Sequence, residues 1–152
     1  MSNSRFVYVV FIRTTPEKLW DALRLPEFCK QYWRGTWLDS DWKKGASWKM
    51  LNAEGQLCDA GEVAEIDPPK RLVLKWQHEL RPELKAEGYT QATFTLEQQG
   101  AMMKLTVVHE IDKPNSKIIE VVSNGWPAIL SSLKSFLETG RASDWPATPP
   151  RA

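Results

Sequence analysis

The sequence predicts an α+β fold in which a curved antiparallel sheet wraps around one long C-terminal helix. Two observations carry this prediction. Residues 16–24 and residues 116–140 have helical patterns, whereas most of the chain between them has the composition and alternation of β-strands. A sheet with one apolar face and a helix with one apolar stripe must bury those surfaces against each other.

The first strand and the two short helices after it are marked by composition and by capping residues. Residues 5–13 are nearly all β-branched or aromatic, which predicts a strand that is buried on both faces or nearly so. Thr15 is a suitable N-cap and Pro16 is preset for the first helical position. Pro26 starts a second short helix, and Gly35 ends it.

A run of strands follows, separated by turn residues. The predicted strands are 46–51, 56–66 with a break or a bulge at Gly61, 72–80, 89–97 and 103–111. The strand 72–80 alternates cleanly and places its even-numbered residues on one face. A turn over 98–101 would pair Leu96 with Met103 and set Thr90 opposite His109.

The long C-terminal helix begins near Ser116 and stops at Gly140. Trp126 and Leu130 belong to its apolar stripe, and we expect Trp126 to pack against the concave face of the sheet. Pro127 is expected to kink this helix because proline donates no backbone hydrogen bond.

Bulk properties restrict the class of protein. At 152 residues, with 42% hydrophobic and 26% charged residues, the composition is that of a soluble globular protein. The net charge of +1 argues against nucleic-acid binding, and no apolar run approaches the length of a membrane span. The N-terminus lacks the pattern of a signal peptide, so we expect a cytoplasmic protein. We predict one domain over residues 1–142 and a proline-rich flexible tail over 143–152.

Tryptophan and cysteine usage add two expectations. Eight tryptophans favour aromatic walls around a pocket or an interface, although a core that is simply rich in tryptophan explains them equally well. Cys29 and Cys58 share no metal-type spacing, and we expect both to be free, partly buried thiols without a disulfide between them.

Several motifs, taken in order, resemble a known superfamily. They are the stretch TPEKLWDAL at 15–23, the strand pair GEVAEIDPPKRLVLKW at 61–76, LTVVH at 105–109, and the helix that begins GWP at 125. This order resembles the helix-grip fold of the START-like (SRPBCC) superfamily, and the last two motifs are similar to the branch named for the activator of the heat-shock-protein-90 ATPase. The resemblance implies a groove under the long helix where relatives bind lipids, sterols or polyketides. It implies no catalytic motif.

The candidate site follows from strand parity. We predict a ligand-binding cavity between the sheet and the C-terminal helix, bounded by Trp76, Phe94, Met103, Trp126 and Leu130. Both histidines fall on inward-facing positions, so His78 and His109 are expected at one end, one strand apart, to orient the polar end of a ligand. Neither has an evident aspartate partner. The alternative is that each is a core histidine satisfied by backbone or water.

Three functions remain open on the sequence. The preferred one is binding of a small hydrophobic, amphipathic or lipid-like molecule in this cavity, by a monomer or a homodimer. The second is a co-chaperone-like module that binds a chaperone or another protein; it predicts a filled cavity and an exposed apolar or charged patch on the outer sheet face. The third is a cyclase-like or hydrolase-like enzyme. No enzyme signature is present, and no cofactor or metal is expected.

Overall fold

The computed structural model describes residues 3–143 and confirms the predicted fold class. One antiparallel sheet of seven strands has the order β1-β7-β6-β5-β4-β3-β2. The strands are β1 (Ser4–Ile12), β2 (Trp37–Ser40), β3 (Ser47–Leu51), β4 (Leu57–Asp67), β5 (Arg71–His78), β6 (Thr90–Gln99) and β7 (Met102–Ile111). The helices are α1 (Pro16–Arg24), α2 (Pro26–Tyr32), α3 (Pro82–Lys85) and α4 (Lys117–Thr139). Strand β2 and helix α3 are additions to the prediction, and the tail predicted over 143–152 lies, beyond residue 143, outside the described residues.

The capping residues set the helix ends where the sequence indicates. The Thr15 hydroxyl accepts a hydrogen bond from the backbone N–H of Lys18 at the start of α1. At the start of α4 the Ser116 hydroxyl accepts one from Ile119 N–H, and Gly140 ends the helix in the left-handed conformation, with φ 81°. α4 continues through Pro127 as one helix. Local capping chemistry therefore fixes these boundaries.

Strand β1 corrects one prediction. Its residues alternate between half-buried and exposed, so the strand is not buried on both faces. The even-numbered residues face the interior, whereas Val7, Val9 and Phe11 point outward and are 48%, 44% and 41% exposed. An apolar composition alone cannot reveal that β1 is an edge strand of the sheet.

The register of the β6–β7 hairpin also differs from the prediction. The connecting turn contains only Gly100 and the following alanine, and the strands extend to a Gln99–Met102 pair. Leu96 consequently pairs with Leu105 rather than with Met103. A shift of two residues preserves which face each side chain occupies, so the inward-facing residues are those predicted even though their partners are not.

Gly61 has a packing role rather than the predicted bulge. The register shifts lie elsewhere, between Met50 and Leu51 and between Val63 and Glu65. A Cβ atom on Gly61 would collide with the carbonyl oxygen of Lys75. Two contacts depend on this close approach. The Trp48 indole donates a hydrogen bond to the Lys75 carbonyl at 3.0 Å, and the ring centroids of Trp48 and Trp76 lie 4.7 Å apart in an edge-on arrangement. Glycine here lets two indoles approach each other across β4.

Two further properties of the described residues bear on function. No helix within residues 3–143 is long and apolar enough to cross a membrane. Cys29 and Cys58 are both buried, and no disulfide joins them. Burial raises the pKa of Cys29 to about 11, which keeps this thiol protonated and unreactive at neutral pH.

Candidate functional site

The interior between α4 and the sheet is built around one tryptophan of α4. Trp126 is 1% exposed, which confirms that it packs against the sheet. Its ring centroid lies 5.9 Å from that of Trp33, and 5.7 Å from those of Trp76 and Phe94. The tilted and edge-on geometries are those that aromatic quadrupoles favour. We call Trp33, Trp76, Phe94, His109 and Trp126 the aromatic cluster.

The aromatic cluster fills the cavity that the sequence predicts. The space left beneath α4 is about 10 Å³, room for about one water molecule, whereas small-molecule sites typically measure about 300–1,000 Å³. Four of the seven predicted site residues line this space, namely Trp76, Phe94, Trp126 and Leu130. The expectation of an open cavity is therefore wrong for this conformation, because large aromatic side chains occupy the volume.

His109 is a hydrogen-bonded core residue. The Trp126 indole Nε1–H donates to His109 Nδ1 at 3.1 Å, so the imidazole proton resides on Nε2. Nε2 in turn donates to the Thr90 hydroxyl at 2.7 Å, and that hydroxyl donates to the Trp76 carbonyl at 3.1 Å. Burial lowers the pKa of His109 to about 3, which keeps the ring neutral. Both ring nitrogens are hydrogen-bonded, Nδ1 to Trp126 of α4 and Nε2 to Thr90 of β6, so His109 connects α4 to the sheet.

His78 has an aspartate partner that the sequence analysis missed. Its Nδ1 lies 3.1 Å from Oδ1 of the fully buried Asp59, whose Oδ2 accepts a hydrogen bond from the Trp76 indole at 2.8 Å. The other imidazole nitrogen, Nε2, and Asp59 Oδ1 are both buried and have no hydrogen-bond partner within residues 3–143, so His78 and Asp59 approach closely without forming a well-aligned hydrogen bond. His78 therefore retains one unused hydrogen-bonding atom in the interior.

A bulge in β4 creates the Asp59–His78 pair. Near the β4–β5 turn Asp67 pairs with Arg71, and continuing that register would set His78 opposite Ala60. The extra residue between Val63 and Glu65 shifts the later pairs by one, so that Asp59 faces His78. If β4 had no bulge, Asp59 would lie on the opposite face of the sheet from His78. No turn residue in the sequence indicates this bulge.

The seven predicted residues do not form one site. Ala92 pairs with both Leu74 and His109, so His109 is level with Leu74. His78 lies four residues farther along β5, a distance of about 13 Å at the usual strand rise. Met103 is at the opposite end of the sheet, where it pairs with Ile12. All seven are buried, but the two histidines do not converge on one point.

The outer face of β1 carries an apolar surface that the sequence analysis also missed. Val7, Val9 and Phe11 are three of the four large hydrophobic residues exposed among the described residues, the fourth being Tyr89. We call these three side chains the β1 strip. Alternation of apolar and polar residues within residues 5–13 would have separated the buried face from the exposed one. Every position there is apolar except the two ends, so the sequence carries no such alternation.

The described part of the chain offers no evident metal site. Within residues 3–143 no three histidine, cysteine, aspartate or glutamate side chains lie close enough together to hold a metal ion.

Comparisons with known proteins agree with the fold. The family model described as "Activator of Hsp90 ATPase homolog 1-like protein" matches residues 13–138. No curated protein matches the sequence significantly.

Three solved structures illustrate the structural similarity. CalU16 from Micromonospora echinospora has a TM-score of 0.72 at 19% identity, covering 91% of this chain and 76% of its own. The Aha1 dimer from Colwellia psychrerythraea has a TM-score of 0.72 at 22% identity, covering 91% and 99%. PFC0360w, an HSP90 activator from Plasmodium falciparum, has a TM-score of 0.64 at 24% identity, covering 80% and 86%. At these identities the likeness shows a shared fold.

Proposed function

This chain belongs to the family of the Activator of Hsp90 ATPase homolog 1-like proteins, and we propose that it is a protein-binding module that docks on an Hsp90-type ATPase through the β1 strip. The observation that carries the proposal is the β1 strip itself, three large apolar side chains exposed side by side on one face of one strand. A structural relative is described as an HSP90 activator, which supports this choice of partner.

Two features distinguish a protein-binding module from a small-molecule carrier of the same fold. A carrier needs an open cavity, and the space beneath α4 is about 10 Å³. A binding module needs an exposed apolar patch, which the outer face of β1 provides. Both features favour the binding module.

The chemistry around the β1 strip suits a protein interface. In the β1–β7 register Val7 lies beside Val108, and Phe11 lies beside Lys104. Burying the exposed half of each strip side chain contributes roughly 1 kcal/mol. Lys104 and Arg5 form a charged rim at the two ends, an arrangement common in specific interfaces. The strip therefore supplies apolar contact in the centre and solvated charge at the margin.

The test is a binding titration against the Hsp90 of the same host. We expect the triple variant Val7→Ser, Val9→Ser, Phe11→Ser to bind at least about tenfold more weakly than the unmodified chain, since about 1.4 kcal/mol corresponds to a factor of ten. Tyr89→Ser is the matched control, because Tyr89 is 57% exposed but lies outside the strip. Equal affinity of the triple variant would eliminate the strip as the docking surface. A failure of the unmodified chain to bind would eliminate this partner.

Binding of a small amphipathic molecule beneath α4 is the second candidate function. One observation favours it: His78 Nε2 is buried without a partner in the described chain, as expected for a group that meets the polar end of a ligand. This function requires the aromatic cluster to open. Native mass spectrometry of protein purified from its own host tests it, because a bound molecule adds a defined mass. A ligand mass that disappears on denaturation would favour this function, and its absence would leave docking as the better account.

A further inference from the structure

We propose that an extended peptide segment of a partner protein, with an apolar residue followed by lysine or arginine, adds as a short strand to β6. The site is a groove between the β4–β5 turn, the end of β6 and the start of α1. The groove measures about 530 Å³, within the range of about 300–1,000 Å³ that is typical of ligand sites. None of its lining residues belongs to the β1 strip, so this inference goes beyond the proposed function and does not rest on it.

Unequal strand lengths create this groove. β5 begins at Arg71, which pairs with Thr95, whereas β6 continues to Gln99. Asp67 of β4 also pairs with Arg71, so the chain before β5 turns toward β4 and away from β6. The space beside the last residues of β6 is therefore the space that a longer β5 would fill, about 4.8 Å from β6 in the plane of the sheet.

Three backbone groups of β6 face the groove. The Leu96 N–H donates to the Lys70 carbonyl at 2.8 Å, so the backbone groups of Leu96 point toward β5. In a complete antiparallel pair the Lys70 N–H would donate back to the Leu96 carbonyl, but it donates to the Asp67 carbonyl at 2.7 Å instead. Gln98 is two residues farther along, so its N–H and C=O point the same way, past the end of β5. Within residues 3–143 no backbone group pairs with these two groups or with the Leu96 carbonyl.

The floor of the groove selects an apolar side chain. A peptide residue placed opposite Gln98 in an antiparallel strand would exchange two backbone hydrogen bonds with it. The side chain of that peptide residue would lie on the same face of the sheet as Leu96 and Met103. Both of these residues are buried and line the groove, together with Pro16 and Pro69. An apolar peptide residue therefore obtains backbone pairing and an apolar contact at the same position.

The charges around the groove favour a basic residue at the next peptide position, which would lie opposite Glu97. Three carboxylates without an ion pair in the described part of the chain line the groove, namely those of Glu17, Asp67 and Glu97. Of the two lining cations, Arg71 is paired with Glu65 at 3.5 Å, which leaves Lys70. The unpaired charge of the groove is therefore negative, and it complements a lysine or an arginine of the peptide.

Fluorescence anisotropy of a labelled synthetic peptide tests the site. The probe is the amidated peptide GTVLKTG, in which leucine precedes lysine within a strand-favouring sequence. We expect saturable binding to the full chain. Gln98→Pro should weaken it by at least about tenfold, because proline removes the N–H that faces the groove and leaves the ladder to β7 intact. Gln98→Thr keeps that N–H and is the matched control. No binding of the peptide, or equal binding by the two variants, would overturn the inference.

Two further measurements cover the case in which Gln98→Pro does not fold. Glu97→Lys should weaken binding of GTVLKTG and strengthen binding of GTVLETG, each by about threefold, because the charge opposite the peptide is reversed. Glu54→Lys, an exposed substitution in the turn at the other end of β4, should change neither affinity. Methylation of the leucine nitrogen of the peptide should abolish binding, since that N–H donates to Gln98. An N-methylated peptide that binds equally well would refute strand addition.

Discussion

At the scale of single residues, the burial of His109 makes folding stability depend on pH. The folded-state pKa is about 3 because of burial, against an ordinary value of 6.5. Between these values the unfolded chain binds a proton that the folded chain excludes. The contribution of His109 to the free energy of unfolding is therefore fully present above pH 6.5. It falls by about 1.4 kcal/mol per pH unit as the pH drops toward 3.

Replacing the imidazole should remove this dependence. We expect the unfolding free energy of His109→Phe to change less steeply with pH between pH 5 and 6.5, because unfolding then takes up about one proton fewer. Urea denaturation across that pH range measures the slope. The variant should also be less stable at pH 7 by roughly 2–3 kcal/mol, since the buried Trp126 indole and Thr90 hydroxyl lose their partner. An unchanged slope would show that His109 does not remain neutral in the folded state.

At the scale of elements, Gly61 holds β4 and β5 at the separation that two indoles need. We expect Gly61→Ala to cost about 3 kcal/mol of unfolding free energy, because the added methyl collides with the Lys75 carbonyl. Gly45→Ala is the matched control. A Cβ atom added at Gly45 would contact nothing within 4 Å. The cost there comes only from placing alanine at a φ of 87°, about 1–2 kcal/mol of unfolding free energy. Thermal and urea denaturation of both variants checks the difference, and equal costs would contradict the packing role.

The connection after β5 is stabilised by a carboxylate that caps α4. Glu87 accepts hydrogen bonds from the Ser116 hydroxyl and from the backbone N–H groups of Lys117 and Ile118. Burial alone would raise its pKa, but these hydrogen bonds outweigh burial and lower it. Glu87→Gln should therefore lower stability at pH 7 by about 1 kcal/mol, with the difference shrinking as the pH falls through the range where the carboxylate titrates. A difference that stays constant in acid would refute a charge-dependent cap.

At the scale of the whole molecule, Trp126 decides whether the interior is filled. We expect Trp126→Ala to lose roughly 3–5 kcal/mol of stability and to leave an apolar cavity among Trp33, Trp76 and Phe94. Added indole should then raise the melting temperature of the variant and leave that of the unmodified chain unchanged. Trp37→Ala, at a half-buried position outside the aromatic cluster, should show no indole effect. No rescue of Trp126→Ala would mean that the interior collapses instead.

The sequence by itself determined the fold class and the approximate bounds of every element except β2 and α3, because these depend on local signals. Thr15, Pro16, Ser116 and Gly140 act within one turn of where they stand, and strand alternation correctly placed the inward residues of β5 to β7. The resemblance to the family supplied the helix-grip arrangement. Local chemistry was sufficient wherever a residue's role is set by its neighbours along the chain.

Only the tertiary structure decided the candidate sites. The Asp59–His78 pair depends on a bulge, the hydrogen bonds of His109 depend on a helix distant in sequence, and the filled interior depends on how four large rings pack together. The exposure of Val7, Val9 and Phe11 depends on β1 lying at the edge of the sheet. These are properties of strand order, register and packed volume, and they arise from contacts between residues far apart in the chain.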